Sequence, residues 1–161
     1  MKESCVPDAE AMKLAIAAAL EGIERGQTPF GCCIVKDQKV LATAHNTVWQ
    51  EGDPTRHAEI NAISTACRAL GTIDLSGASL YATCEPCPMC WAAAHWARVS
   101  RVVFGARIAD ARSAGFNELV LPAQTLKELS GSTTELVPDF MARECRDLFR
   151  LWQEKGRATP Y

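Results

Sequence analysis

The sequence predicts an α/β protein, a three-layer α/β/α sandwich in which helices cover both faces of a sheet. One helix and two strands come first, and helices and strands then alternate along the chain. The 161 residues contain no internal repeat and no long linker, so we expect one domain over 1–161. Its C-terminal helix and tail, about 138–161, could pack on a partner subunit.

The helices are predicted from apolar side chains at helical spacing and from the positions of proline and glycine. They cover residues 9–25, 53–70, 86–98, 109–114, 122–129 and 139–154. The strands are predicted from short apolar runs between turn residues, at 32–36, 39–44, 79–83 and 101–104. A polar turn at 36–38 makes the first two strands a hairpin, and 46–53 is expected to be a polar loop.

Composition indicates an ordinary globular protein, with 48% hydrophobic and 22% charged residues, and argues against disorder. A net charge of −2 without any Lys/Arg-rich run argues against nucleic acid as a partner. Residues 1–8 lack the apolar stretch of a secretory signal, and the apolar runs are too short to span a membrane. We expect a cytoplasmic protein, in which eight cysteines favour metal binding over disulfides.

Two short segments carry the chemistry: His57-Ala58-Glu59, and Pro86-Cys87-Pro88-Met89-Cys90 within the run that begins at Cys84. Each is predicted to lie at the start of a helix. Two cysteines three residues apart share one helical face and can bind one ion, and His57 offers a nitrogen from the other helix start. Three protein ligands leave the fourth tetrahedral position open, which is typical of a catalytic Zn²⁺.

The helix starts favour thiolates, because backbone N–H groups and the helix dipole lower the pKa of a cysteine there. Water bound to such a zinc ion ionises near neutrality and provides a hydroxide nucleophile. Glu59 lies two residues from a ligand, so its carboxylate can reach that water without joining the coordination sphere. We therefore assign Glu59 as the general acid and base.

The alternative is a structural zinc ion closed by a fourth ligand, for which Cys84, Cys67 and His95 are available. His-x-Glu followed by Pro-Cys-x-x-Cys, both at helix starts, is far more restrictive and is the signature of zinc-dependent deaminases. The other cysteines are expected to be small buried side chains: Cys5, Cys32, Cys33, Cys67 and Cys145.

With these motifs, the sequence resembles the cytidine and purine deaminase superfamily over about residues 29–118. The resemblance implies a central mixed five-stranded sheet, with one Zn²⁺ per subunit held between two of the flanking helices. It also implies a homodimer or higher oligomer, and leaves open whether the subunits exchange their C-terminal segments.

Three local features are similar to bacterial guanine deaminases within that superfamily: Pro29-Phe30-Gly31, Ala114-Gly115-Phe116-Asn117-Glu118 and the C-terminal residue. The substrate contacts that this similarity implies are stacking by Phe30, a hydrogen bond from Asn46, pairing of Glu118 with the N–H edge of the purine, and closure of the pocket by Tyr161. Judged from the residues alone, each of the four could instead have a structural role, in the core, in a turn, on a solvated loop or at a frayed terminus.

The expected reaction is hydrolytic deamination of guanine to xanthine and ammonia. Three residues depart from the family's usual pattern, namely Arg56, Trp91 and Asn117. The two bulky ones, Arg56 and Trp91, are expected to border the pocket, and Trp91 to contact the substrate. Such changes could select another aminopurine, an aminotriazine or a nucleoside such as guanosine.

Three other functions remain open. A tRNA adenosine deaminase is one, because the segment Val102-Val103-Phe104-Gly105-Ala106 is similar to that branch as well. A deaminase of cytosine or a related pyrimidine is another. The third is a non-catalytic protein in which zinc only stabilises the fold.

Overall fold

The computed structural model describes residues 8–156 and 159–161, so the prediction for Cys5 lies outside it. Five strands form one sheet: β1 (Gly31–Lys36), β2 (Lys39–His45), β3 (Ser79–Cys84), β4 (Arg101–Ala106) and β5 (Glu135–Val137). The helices are α1 (Asp8–Glu24), α2 (Val48–Glu51), α3 (Ala58–Leu70), α4 (Pro88–Trp96), α5 (Ile108–Ser113), α6 (Ala123–Ser130) and α7 (Ala142–Lys155). None of the helices in these residues has the length and apolar character needed to cross a membrane.

The strand order is β2-β1-β3-β4-β5, with β1 antiparallel to both neighbours and β3, β4 and β5 mutually parallel. The predicted mixed five-stranded sheet is therefore confirmed. The predicted hairpin is also present, with Lys36 opposite Lys39. The two residues between them, Asp37 and Gln38, both have positive φ, as the tight turn of such a hairpin requires.

Helices cover both faces of the sheet, which confirms the three-layer sandwich. Successive side chains of a strand point to opposite faces, so each central strand contributes to two cores. The face covered by α1 and α7 buries Cys33, Tyr81 and Val103. The face covered by α3 and α4 buries Ile34, Leu80 and Val102.

The sheet topology brings several chain segments to one edge. Strands β2, β3 and β4 run in the same direction, so the segments that follow them all start at this edge. Strand β1 runs the opposite way, and its first residue, Gly31, lies opposite His45, the last residue of β2. Residues just before β1 and just after β2, β3 and β4 therefore lie close together.

The predicted helix starts are wrong at two places by a few residues. Helix α3 begins at Ala58 rather than near Asp53. The Asp53 carboxylate instead accepts hydrogen bonds from the backbone N–H and hydroxyl of Thr55, at 2.9 and 2.7 Å, and forms a turn. Helix α7 begins at Ala142 rather than 139, because Asp139 and Met141 adopt the left-handed conformation.

Three further differences concern short elements. The predicted polar loop at 46–53 contains the one-turn helix α2. Helix α4 starts at Pro88, two residues later than predicted, because Cys87 takes the N-cap position. Strand β5 was not predicted, since three residues carry too little pattern to separate a strand from a loop.

Helix α1 lies unusually close to the start of β1. A Cβ atom added at Gly31 would lie 2.0 Å from the backbone oxygen of Ala15 and 2.7 Å from the nitrogen of Ala19. Only glycine lets the helix backbone approach the strand this closely, and the segment that contains Phe30 is placed by that contact.

We predict that Gly31→Ala lowers the free energy of unfolding by about 1–3 kcal/mol, because backbone atoms of α1 must move away. Chemical denaturation of the zinc-saturated protein measures this. Gly22→Ala is the comparison variant: the atoms nearest its Cβ, at 2.9 Å, belong to the His45 side chain and not to a backbone, so we expect a smaller loss. Equal stability of the two variants would contradict the close helix–strand contact.

Candidate active site

Two helix N-termini meet at the edge of the sheet where β3 ends. His57 is the N-cap residue of α3, and Cys87 is the N-cap residue of α4, with Pro88 in the first turn. Both cap residues have extended backbone angles, and neither side chain makes a capping hydrogen bond. The positions that usually hold a capping Ser, Thr or Asp therefore present an imidazole and a thiol to the space between the helices.

The side chains of His57, Cys87 and Cys90 form the metal-ligating group that the motifs predicted. The Nδ1 atom of His57 lies 3.6 Å from the sulfur of Cys87 and 3.6 Å from that of Cys90. Tetrahedral zinc, with Zn–N near 2.0–2.1 Å and Zn–S near 2.3 Å, separates two such ligand atoms by about 3.5 Å. The three donors therefore fit one Zn²⁺, with Nδ1 as the imidazole ligand.

The group consists of three residues whose ligand atoms all lie within 4.8 Å of one another. Over residues 8–156 and 159–161, no fourth His, Cys, Asp or Glu joins it, so the structural-zinc alternative finds no fourth ligand among Cys84, Cys67 and His95. Three ligands leave one position for a water molecule or a substrate atom, which is the arrangement of catalytic zinc sites.

One of the two thiols, that of Cys87, is polarised for metal binding, whereas the hydrogen bond to Cys87 and burial raise the pKa of Cys90. The Cys90 thiol donates a hydrogen bond to Cys87 and, with the imidazole of His57, lowers the pKa of Cys87 to about 4. Zinc binds the thiolate rather than the thiol, so a cysteine that ionises readily is a suitable ligand. The seven described cysteines are all free, as expected for a chain without disulfides.

Glu59 lies in the first turn of α3, and its side chain is 7% exposed. Burial raises the pKa of Glu59 to about 7, although the neighbouring His57 acts in the opposite direction. A carboxyl group with a pKa near neutrality is present in both protonation states at pH 7. It can therefore both accept and donate a proton, as a general acid–base group must.

A small cavity adjoins the three ligands, and it brings together predicted site residues from distant parts of the chain. It is lined by Phe30, His57, Glu59, Cys84, Glu85, Cys87, Glu118 and Tyr161. The enclosed space is about 20 Å³, which holds roughly one water molecule. A nucleobase can therefore enter only when one of the lining segments moves.

The C-terminal residue closes this cavity. The ring of Tyr161 lies 5.7 Å from the His57 ring and 5.3 Å from the Phe116 ring. Its backbone oxygen accepts a hydrogen bond from the Asn117 N–H at 2.8 Å. Upstream of it, the Trp49 indole donates to the carbonyl of Thr159 at 2.9 Å. The tail thus lies over the site of its own chain.

Asn46 is fully buried behind Tyr161. Its side-chain oxygen accepts a hydrogen bond from the Val48 N–H at 3.1 Å, and its amide NH₂ donates to the Tyr161 hydroxyl. A ligand could therefore contact the Asn46 amide by taking the place of the Tyr161 side chain. Burial raises the pKa of Tyr161, so this hydroxyl stays neutral.

The structure does not bring Trp91 or Arg56 into the cavity. Trp91 is 5% exposed and packs in the core between the sheet and the α3/α4 layer, because it follows Cys90 and so points to another side of α4. Arg56 makes salt bridges with Glu51 and Asp53 at 3.1 and 3.2 Å. Neither side chain lines the cavity, so the structure gives no support for placing them at the pocket border, and the contact of Trp91 with the substrate stays a prediction.

Two cavity residues were not predicted as site residues. Cys84 and Glu85 follow one another at the end of β3, directly before the zinc motif, and both line the cavity. Their position in a strand that leads into the motif was the available signal. Glu85 could have been recognised as a buried acid, since it lies between an apolar strand and Pro86.

Comparison with known proteins identifies the family. The model of the cytidine and deoxycytidylate deaminase zinc-binding region matches residues 6–106, more than half of the chain. The chain therefore belongs to this zinc-binding deaminase family. The resemblance inferred from the motifs is confirmed, and so is the expectation of Zn²⁺ as its cofactor.

The relatives include enzymes with two different substrates. The chain is 45% identical over 108 residues to guanine deaminase of Bacillus subtilis (strain 168), across 66% of this chain and 69% of that protein. It is 44% identical over 95 residues to tRNA-specific adenosine deaminase of Aquifex aeolicus (strain VF5), across 59% of this chain. That match spans 63% of the Aquifex protein, slightly less than two thirds of its length.

The fold also agrees with a solved relative over nearly the whole chain. The structure of guanine deaminase from Nitrosomonas europaea has a TM-score of 0.83 with this chain at 25% sequence identity. The match covers 95% of this chain and 87% of the Nitrosomonas protein.

We predict that Cys90→Ser lowers bound zinc well below one ion per chain, because a ligand with a suitable thiolate is lost. Elemental analysis of the purified variant measures this. His95→Ala is the matched control, since His95 is exposed on α4 and outside the ligand group. Full zinc content in Cys90→Ser, or an equal loss in the control, would contradict the assignment.

Proposed function

We propose that this protein is a zinc-dependent hydrolase that deaminates guanine to xanthine and ammonia. The observation that carries the guanine assignment is Glu118, whose half-buried carboxylate faces the cavity beside the zinc ligands. Among the described residues, no donor forms a hydrogen bond to this carboxylate, and burial raises its pKa. It is an acceptor for which residues 8–156 and 159–161 supply no donor.

Guanine supplies the complementary donors. Its ring N–H groups can donate to the Glu118 carboxylate, whereas adenine and cytosine present fewer N–H donors on the ring. Desolvation makes an unpaired buried carboxylate costly, so a ligand that donates a ring N–H group to it is preferred to one that does not.

The remaining pocket residues suit a planar base. Phe30 packs against Phe116 in a T-shaped arrangement, with ring centroids 4.9 Å apart, and lines the cavity. An aromatic face stacks on a purine without regard to its hydrogen bonds. The Asn46 amide NH₂ donates to the Tyr161 hydroxyl, and it can donate instead to a carbonyl oxygen or ring nitrogen of the base.

In the reaction, Glu59 carries the protons. His57, Cys87 and Cys90 would hold the Zn²⁺, which would supply a water-derived nucleophile at neutral pH. Glu59 takes the proton of the nucleophile and then delivers it to the amino nitrogen, which leaves as ammonia. Its burial beside His57 keeps that proton within the site.

A tRNA adenosine deaminase is the second candidate, and its support is the 44% identity to the Aquifex enzyme. Such an enzyme needs basic residues along the path of the RNA backbone. Outside the cavity lies a groove of about 320 Å³ lined by Pro54, His57, Cys87, Pro88, Met89, Asn117, Glu118, Leu119 and Tyr161. That lining is mostly apolar and includes no Lys or Arg, which favours a free base over tRNA.

The decisive experiment is ammonia release from guanine, guanosine, adenine, cytosine and aminotriazines, with inosine formation in tRNA assayed in parallel. We expect guanine to be turned over with the highest kcat/KM. Inosine formation without guanine turnover would reject the proposal in favour of the second candidate.

We predict that Glu59→Gln retains zinc and folding but loses at least about 100-fold in kcat, because the amide cannot shuttle a proton. Ammonia release at saturating guanine, with zinc analysis on the same sample, measures both. Glu128→Gln on α6 is an exposed carboxylate control. Unchanged turnover in Glu59→Gln would remove the proton-transfer role.

We predict that deletion of Pro160 and Tyr161 lowers kcat/KM for guanine by about tenfold or more, because the pocket can no longer exclude water. Thermal stability is expected to change little, since the deletion leaves the sheet and its helices intact. Tyr161→Phe keeps the ring and removes only the hydroxyl that meets Asn46. Full activity in the truncated protein would show that the tail plays no part.

The same truncation tests whether chains exchange their tails in the homodimer that we propose. Apolar side chains exposed on the α3/α4/α6 side support association of two chains: Leu70, Ile73, Trp96 and Leu129. The tail lies over its own chain's site, so mixing the truncated protein with full-length Glu59→Gln should restore no activity. Restored activity would show that one chain closes the pocket of the other.

A further inference from the structure

We propose that Glu85 is a positioning residue for the loop 114–122, which carries Glu118. Glu85 binds the chain on both sides of this loop, at Ile108 and Ala123, and so holds Glu118 against the cavity. The inference rests on the proposed function, because that proposal is what gives Glu118 its role in binding the purine. Glu85 itself is assigned no proton transfer and no contact with the metal.

The two oxygens of the Glu85 carboxylate have different partners. Oε2 accepts a hydrogen bond from the Ile108 N–H at 3.0 Å, and Oε1 accepts one from the Ala123 N–H at 2.8 Å. These are the first residues of α5 and α6. The side chain is 6% exposed, so water does not compete strongly for either bond.

A single buried carboxylate thereby joins two helix starts. Each start presents unpaired N–H groups and a positive partial charge, and an anion between them is stabilised by both. Glu85 is itself fixed, because its N–H donates to the carbonyl of Ala106 at 2.8 Å at the end of β4. The sheet, through Glu85, therefore sets the distance between α5 and α6.

Within the loop between those helices, Phe116 is 4% exposed and packs in the core, but the residues that follow it have few other restraints. Leu119 and Val120 are 69% and 60% exposed, so burial does not hold this part of the loop in place. The backbone N–H of Glu118 bonds only to the nearby carbonyl of Phe116, at 2.9 Å. Ordering such a segment costs conformational entropy, which fixing both of its ends reduces.

A further anchor of the loop depends on the tail. The Asn117 N–H donates to the backbone carbonyl of Tyr161, whose side chain lines the cavity that a base must enter. A movement of Tyr161 that admits a base strains this bond, whereas the bonds from Glu85 do not involve the tail. Glu85 therefore keeps the Glu118 carboxylate in place for the incoming base.

The geometry needs a carboxylate of this length. Two N–H donors face two acceptor oxygens, so Glu85→Gln leaves one donor facing the amide NH₂. Glu85→Asp keeps the charge but is one carbon shorter and cannot reach both N–H groups. The two variants thus remove one bond each by different means, which keeps the test informative if one of them folds poorly.

The first experiment measures amide hydrogen exchange of residues 114–122 in the zinc-loaded protein. We expect at least about tenfold faster exchange in both Glu85 variants, because the loss of one hydrogen bond to a charged group changes an opening equilibrium by that much. Asp110→Ala is the matched control. It removes another helix-start acceptor, the one for the Arg107 N–H at 2.8 Å, without touching Glu85, and should affect only the start of α5.

The second experiment is a double-mutant cycle with Glu118→Ala on guanine turnover. If Glu85 acts through Glu118, Glu85→Gln raises KM about tenfold in the wild-type background and less than about twofold in Glu118→Ala, with kcat and zinc content nearly unchanged. A merely structural role would lower the active fraction equally in both backgrounds.

The outcomes separate the two proposals. Unchanged exchange of residues 114–122 in both Glu85 variants, or additive effects in the cycle, would overturn the positioning role while leaving guanine turnover standing. Absence of guanine turnover in the wild-type protein would reject the proposed function. Hydrogen exchange would still decide whether Glu85 fastens the loop, because that measurement needs no substrate.

Discussion

The site depends on the convergence of two helix N-termini whose cap positions are occupied by metal ligands. His57 and Cys87 stand where a capping side chain would normally satisfy the first backbone N–H groups of α3 and α4. The positive helix ends favour the thiolate form of the cysteine ligands, and a Zn²⁺ ion held by His57 and Cys87 would join the two helix starts directly. Metal binding and the packing of these helix starts are thus coupled.

The topology explains why such distant residues share this edge. Because β1 runs antiparallel to β2 and β3, the segment before β1 and the segments after β2 and β3 meet at the same edge of the sheet. Phe30, Asn46 and Cys87 come from these three segments, and the loop with Glu118 follows β4. Loops at this edge can vary while the sheet keeps the ligands in register.

The three acidic side chains in the site differ in burial and in the hydrogen-bond donors around them. Glu59 is buried without a hydrogen-bonded cation, and its pKa lies near neutrality. Glu85 is equally buried, but two backbone N–H donors stabilise its charge. Glu118 lies between these cases, half-buried and without a donor from the described chain. Three carboxylates within one cavity therefore suit three different tasks: proton transfer, loop positioning and ligand recognition.

The sequence by itself determined the zinc ligands, the neighbouring acid and the sandwich, because each depends on a local pattern: motif spacing, a helix start, or the period of apolar residues. Tertiary structure alone decided the contacts between remote residues. Asn46 meets a residue 115 positions away, and Glu85 bonds residues 23 and 38 positions away. It also turned Trp91 into the core and Arg56 onto a surface ion pair. Such contacts follow from the packing of whole elements around the sheet, which no local pattern encodes.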